Sequence, residues 1–221
     1  MLRSTGRVAP VAGTERPYHH GNLPQVLLAA AAEVIAEVGP SQMSLREVAR
    51  RSGVSSAAPV HHFGDKAGLL TALAAEGFEL LAETLGEARA RTGSFVEIGA
   101  AYVGFAVSHR AHFEVMFRPD LYDAQAPAIL AGNRAAAQHL YGPASEHLDA
   151  DVDPRDAGVA AWSLVHGLAT LIINGNLGED ALADPIGTAR RIGALTARRG
   201  VGRASEERAS RQPPESRAGR T

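Results

Sequence analysis

The residues best suited to chemistry lie between Ser44 and Leu70, in the run SLREVARRSGVSSAAPVHHFGDKAGLL. Ser55, Ser56, Ala57, Val60 and His61 fall on one short predicted helix and its entry. Hydroxyls there can donate to or accept from base edges, and alanine or valine can pack on a thymine methyl. Lys66 opens a further helix, where its charge would meet a phosphate, and Ser44 and Arg46 open an earlier one. Free N–H groups at such helix starts, with a hydroxyl or guanidinium beside them, also suit phosphate oxygens. These eight positions are the candidate DNA-binding residues.

Positioning them requires two short helices crossing steeply, so that the second reaches the major groove. The first is expected over about Leu45 to Arg51, opened by a capping box of Ser44 and Glu47. Gly53 can take the positive φ that ends it, and Ala49 is small enough for close approach. Leu45 and Val54 are the apolar pins. The second helix is expected over about Ser56 to His62, capped by Ser55 or Ser56, with Pro59 in or just after its first turn. Asp65 is a good N-cap for the helix that follows, expected to reach about Ala90 with Leu69, Leu70, Leu73, Leu80, Leu81 and Leu85 inward.

Elsewhere the helical period also dominates. Leu23, Val26, Leu27, Ala30, Val34, Ile35 and Val38 form the apolar stripe of a leading helix stopped at Gly39-Pro40. One or two helices span Phe95 to Phe117 with a bend near Ser108. Another runs from Ala126 to Leu148, interrupted at Gly142-Pro143. Asp153-Pro154 opens an uncharged helix over about 157–175, and Asp184-Pro185 a last one ending near Arg199. No run alternates with period two, so the expected class is all-α.

Charge is divided along the chain. Residues 1–66 hold 7 Lys and Arg against 5 Asp and Glu, 67–189 hold 6 against 16, and 190–221 hold 9 against 3. An acidic middle cannot present a phosphate-binding surface, which assigns nucleic-acid contact to the N-terminal end. There is no cysteine, hence no disulfide framework, thiolate metal site or cysteine nucleophile. The first residues lack the apolar run of a signal peptide, and a cytoplasmic location is expected. The uncharged stretch between Asp156 and Glu179 approaches the length of a membrane span. His166, Asn174, Asn176, several glycines and acidic flanks argue instead for a helix buried in protein on nearly all sides. No membrane partner is expected.

Other sites are weaker. No Ser/His/Asp order, carboxylate pair with a pocket or phosphate-cradling glycine loop is visible, and the glycines at 167–178 are irregularly spaced, so no enzyme and no cofactor are expected. His61 and His62 diverge by about 100° on a helix and make a poor metal pair. His61 is assigned to the DNA side and His62 to packing against the leading helix. His109 and His112 have ligand spacing but no third ligand, and read as capped or solvated; no metal site is expected. Tyr102, Phe105, Phe113, Phe117, Trp162 and His166 are candidates for an effector pocket, with core packing the plainer reading. Arg190-Arg191 and Arg198-Arg199 are expected to oppose the dipole of the last helix.

The leading helix to Gly39, SLREVARRSGVS, HHF at His61-His62-Phe63 and DKAGLL from Asp65 together resemble the TetR family of transcriptional repressors, strongly over Tyr18 to Leu81 and weakly beyond. Tyr18-His19-His20-Gly21 and Trp162…His166-Gly167 resemble one subgroup with its own, WHG-type, C-terminal domain. The resemblance implies an all-helical homodimer, a palindromic double-stranded DNA operator, and a C-terminal pocket for a small-molecule effector that controls DNA affinity. It divides the chain into a disordered arm (1–16), a DNA-binding head (17–81), an effector and dimerisation domain (82–199) and a disordered tail (200–221). The helices at 157–175 and 185–199 would form the dimer face. Two positions depart from the family pattern. Val60 stands where tyrosine is usual, and Pro24 where a basic residue is frequent. Val60 leaves two readings open: His61 and Lys66 carry more of the backbone contact, or the chain is a helical ligand-binding or scaffolding dimer with a weakened DNA head.

Overall fold

Ten helices arise from these local signals among the described residues, 22–146 and 153–195 of a computed structural model, with no strand among them. They are α1 (Leu23–Gln42), α2 (Leu45–Ser52), α3 (Ala58–Phe63), α4 (Lys66–Thr92), α5 (Phe95–Ser108), α6 (Arg110–Met116), α7 (Pro127–Glu146), α8 (Pro154–Ile173), α9 (Glu179–Ala183) and α10 (185–195). The arm at 1–16, the Tyr18–Gly21 segment, Leu148, Arg198-Arg199 and the tail at 200–221 lie outside the described residues.

Capping chemistry sets most of the starts. Ser44, Asp65, Ser94 and Asp153 each accept a hydrogen bond from a backbone N–H of the turn they open. The Ser44 cap is only half a capping box. Its Oγ accepts from the Glu47 N–H at 3.3 Å, but the Glu47 carboxylate turns away to pair with Arg50. A guanidinium offers that carboxylate two charge-assisted bonds where the Ser44 N–H offers one. Gly53 ends α2 at φ 69°, and its N–H and that of Val54 return to the Arg50 and Ala49 carbonyls. Gly39 (φ 76°) interrupts α1 as its sequence demands, and Pro40 begins one further turn.

Several expectations needed correction. No side chain caps α3: Ala57 is its N-cap, and the Ser55 carbonyl accepts from the Ala58 N–H in a preceding turn. The helix therefore starts two residues late, with Pro59 buried in its first turn. Pro24 sits in the first turn of α1, which begins at Leu23. On α1, Val26 and Val38 face solvent, while Leu28 and Ala31 are buried. The buried stripe of α1 is the one that packs on α2, α4 and α6. Gly142-Pro143 does not interrupt α7. The packing of Leu140 and Tyr141 into the core outweighs the single hydrogen bond that a proline removes. The expected bend near Ser108 is real, at His109 between α5 and α6.

α4 is the axis of the molecule. Leu69, Leu70, Leu73, Ala74, Phe78, Leu81, Leu85 and Ala88 are buried along its 27 residues. It packs on α1 and α3 at its start and on α5, α6 and α7 further along, so a continuous core joins the two ends. α1 and α8 are long and apolar enough to cross a membrane by length and composition. Both instead pack into this core, α8 through α5 and α7. Contrary to expectation, α8 is not buried all round: Val159 and Leu171 are 44% and 43% exposed.

A Cβ on Gly53 would meet nothing within 4 Å, so only backbone strain opposes a side chain there. Gly53→Ala should cost about 1 kcal/mol, and Gly53→Asn less, because asparagine tolerates the left-handed conformation. Urea unfolding of the three proteins measures the difference.

Candidate nucleic-acid interface and effector cavity

At the N-terminal end, seven of the eight predicted DNA-contact residues are exposed: Ser44, Arg46, Ser55, Ser56, Ala57, Val60 and His61. Arg46 has no ion pair or side-chain hydrogen bond among the described residues, whereas Arg50 and Arg51 are both occupied. Lys66 is the exception. Its Nζ donates to the Ser41 carbonyl at 2.8 Å, drawing the start of α4 onto the segment that leads into α2. The ammonium therefore ties the start of α4 to the last turn of α1 and has two further N–H donors left. His62 does not pack on α1: it is exposed, edge-on to His61 at 5.2 Å and tilted on Phe63.

Arg51 is a residue that the sequence reading overlooked. It donates to both carboxylate oxygens of Glu37 on α1, at 2.5 and 2.7 Å, and lies 3.5 Å from Glu47. The i, i+4 pair Glu47–Arg51 and the glutamates on one face of α1 were the available signal. The Arg51 hydrogen bond holds Glu37 below the ordinary glutamate value of 4.5, and Arg50 does the same for Glu47. The two carboxylates thus stay ionised, and α2, which carries the reading helix α3 at its end, is held to α1 by charge as well as by Val48 and Ala49.

The central cavity is built from rings. Phe117 meets His166 at 4.5 Å, Phe113 at 5.0 Å, Phe78 at 6.0 Å and Trp162 at 6.2 Å. The Trp162 indole N–H donates to the Tyr102 hydroxyl at 3.3 Å, and that hydroxyl lies 2.9 Å from His166 Nδ1. Because indole can only donate, the hydroxyl accepts from Trp162, and its direction toward Nδ1 follows the His166 tautomer. Burial pushes the His166 imidazole below its ordinary 6.5 and the Tyr102 hydroxyl above its usual range. Both are neutral at pH 7.

Two adjoining spaces of about 510 and 720 Å³, counted to their open mouths, lie against this cluster. Phe78, Phe117, Asn133 and Trp162 border both, and Tyr102 and Tyr141 border the smaller. Of the six predicted pocket residues, Tyr102, Phe117 and Trp162 line the cavity. Phe113 and His166 stand behind that wall, touching its rings. Phe105 belongs elsewhere, buried and stacked on His109 at 4.9 Å. Phe78 was missed, although it stands three and seven residues before Leu81 and Leu85 on the inward stripe of α4. Asn133 and Tyr141 carried no such signal.

His109, His112 and the arginines of α10 have ordinary partners. His112 reaches Glu76 across α4 and α6 at 3.0 Å, and His109 lies 3.0 Å from Ser108 Oγ. No group of three metal-ligating side chains occurs among the described residues. Arg190 is committed to Glu97 on α5 through two bonds, and Arg191 to Asp184 and Thr188, rather than to the end of α10.

Two measurements test these contacts. Glu37 and Glu47 have folded values below their unfolded ones, so their stabilisation is complete above about pH 4.5 and fades as pH falls through the lowered values. Arg51→Met should melt below the wild type at pH 7, and the gap should narrow as pH falls below 4.5 through the lowered values. Tyr102→Phe would strand the Trp162 N–H and His166 Nδ1, costing about 1–3 kcal/mol in chemical unfolding.

Comparison with known proteins finds two family models in order along the chain. Residues 27–73 match the family described as bacterial regulatory proteins, tetR family, and residues 95–191 match a tetracyclin repressor-like C-terminal domain. A protein of unknown function from Rhodococcus sp. RHA1 is 32% identical, over 80% of this chain and 98% of its own, with a TM-score of 0.64. A regulatory protein of the tetR family from Rhodococcus RHA1 is 21% identical over 81% of this chain and 97% of its own, with a TM-score of 0.66. The transcriptional regulator FadR from Bacillus subtilis, solved in complex with stearoyl-CoA, is 18% identical over 76% and 96%, with a TM-score of 0.58. No curated protein matches the chain. With a reading helix held on a glycine turn, and both domain types matched in order along it, the chain belongs to the TetR family of transcriptional regulators.

Proposed function

We propose that the chain is a cytoplasmic, ligand-responsive repressor that binds a palindromic operator as a homodimer and is released by a small molecule. The head is assigned to 17–81 and the effector and dimerisation domain to 82–199. The observation that carries this reading is the position of α6. It packs on α1 of the head, while Phe113 near its end and Phe117 just beyond it enter the ring cluster beside the cavity. A ligand that displaces Phe117 would therefore bear on the helix against which the reading unit is held. Ligand binding by the regulator FadR, of the same fold, supports a cavity-based effector.

A dimer supplies the second reading head. Val159 and Leu171 on α8 and Ile186 and Leu195 on α10 leave apolar surface exposed, 62% at Leu195, and are the proposed dimer face. Only one spacing of two heads fits major grooves about 34–36 Å apart, and a ligand that prefers another spacing lowers occupancy by its differential affinity. In this reading Ser56, Ala57, Val60 and His61 face the bases and Ser44, Ser55, Arg46 and Lys66 the backbone. The chain then needs neither metal, cofactor nor catalysis, and no membrane.

A second reading, a ligand-binding or scaffolding dimer with a weakened head, is favoured by Val60. It is 50% exposed yet offers no hydrogen bond to a phosphate.

Binding to the DNA upstream of its own gene decides between them. For the repressor, log K should fall linearly with log salt; a folded dimer without salt-dependent binding would remove that reading. Arg46→Ala should weaken binding to all sequences alike and flatten the salt slope by about one unit. Lys66→Ala should do the same and also lower stability, because it breaks the Ser41 bond. Changes at Ser56 or Ala57 should alter base preference instead.

A further inference from the structure

The cavity beside the ring cluster has a chemical bias of its own. No Lys, Arg, Asp, Glu or His is among the residues lining either of its two spaces. Most of its polar atoms are already engaged. Trp162 donates to the Tyr102 hydroxyl, which is also bonded to His166, and the Tyr122 hydroxyl donates to the Met116 carbonyl at 2.6 Å. Two groups are left without a partner among the described residues: the Asn133 amide, on the wall common to both spaces, and the Tyr141 hydroxyl in the smaller one. The other walls are aromatic or aliphatic.

We propose that this cavity takes an uncharged, largely aromatic or polycyclic molecule, anchored by hydrogen bonds to Asn133 and Tyr141, and rejects carboxylates, sulfonates and phosphates. The inference rests on the effector reading above and adds the class of effector to it. An anion seated against the ring wall would shed part of its hydration and find no cation among the lining residues, a penalty that one amide and one phenol do not offset. His166 offers no rescue, since it is neutral and stands behind the Phe117 and Tyr102 wall. Asn133 can donate and accept at once, which suits a phenol, ketone or amide equally. The flat faces of Phe78, Phe117 and Trp162 suit a ring system better than a flexible chain.

A matched pair of probes tests this directly. N-phenyl-1-naphthylamine and 8-anilinonaphthalene-1-sulfonate share one skeleton and differ by a sulfonate. The sole tryptophan, Trp162, borders both spaces and serves as the energy donor. With the full chain and no DNA, the neutral amine should quench Trp162 by energy transfer and bind at least about tenfold more tightly than the sulfonate. Asn133→Arg places a cation on the exposed wall and should narrow or invert that ratio, with helicity by circular dichroism confirming the fold. Equal or tighter binding of the sulfonate to the unaltered chain would overturn the proposal, as would absence of any transfer from Trp162. Operator occupancy is measured separately. If the amine binds as expected but leaves DNA binding unchanged, the effector reading fails while the ligand class stands.

Discussion

The packing of α6 on both α1 and α4 is the constraint on which the rest of the molecule turns. Seven residues are too few for a helix to hold its shape alone, so α6 exists only through what it touches. Ala111, Phe113, Val115 and Met116 are buried in those contacts, and Met116 lies so close to Gly77 that a Cβ there would meet its sulfur at 2.6 Å. The His112–Glu76 pair adds a polar tie across the same surface. An element this short, pressed between a long helix and the head, has little freedom to move by itself. Any shift of Phe113 or Phe117 must be shared with α1 or α4.

That coupling explains why the head is fastened so firmly. The α1–α2 junction has the buried Val48 and Ala49 and the Arg51 bonds to Glu37; the α1–α4 junction has Lys66 on Ser41. Each exposed ion pair contributes little by itself. Their value is orientational, because two bonds from one guanidinium to one carboxylate fix an angle as well as a distance. The reading helix then moves with α1 and α4 as a unit instead of absorbing displacement locally. The price is that basic residues near the DNA side are spent on structure, leaving Arg46 with its charge unpaired among the described residues.

What was legible in the sequence divides along the range of the interactions. Ser44, Asp65 and Asp153 announce helix starts because a cap and its target lie two or three residues apart, and Gly53 announces an ending for the same local reason. The head could be read almost element by element. Its failures were also local competitions: Glu47 prefers Arg50 to closing the capping box, and no side chain closes the start of α3, so that helix begins at Ala58. The cavity was far less legible. Phe105 and Phe117 look alike in sequence, twelve residues apart on the same predicted helical stretch, but the break at His109 sends one to the core and the other to the cavity wall. Asn133 and Tyr141 acquire meaning only because α7 crosses α4 and α8, which no periodicity encodes.

The ring cluster joins these two scales. His166 was expected to be either a satisfied core histidine or a pocket residue, and its geometry makes it the support of the pocket. It is hydrogen-bonded to Tyr102, contacts the faces and edges of Phe113 and Phe117, and is kept neutral by the burial those rings impose. Tyr102 in turn fixes Trp162, so α5, α6 and α8 share one hydrogen-bonded and stacked node. A neutral node of this kind has no charge to screen, and its hydrogen bonds are strengthened by the apolar surroundings that would penalise an ionised ligand. The same exclusion of water and charge that holds the cavity wall in register therefore also sets what can enter it. Displacing Phe117 disturbs a contact with His166 and, through it, the end of α6 that bears on the head.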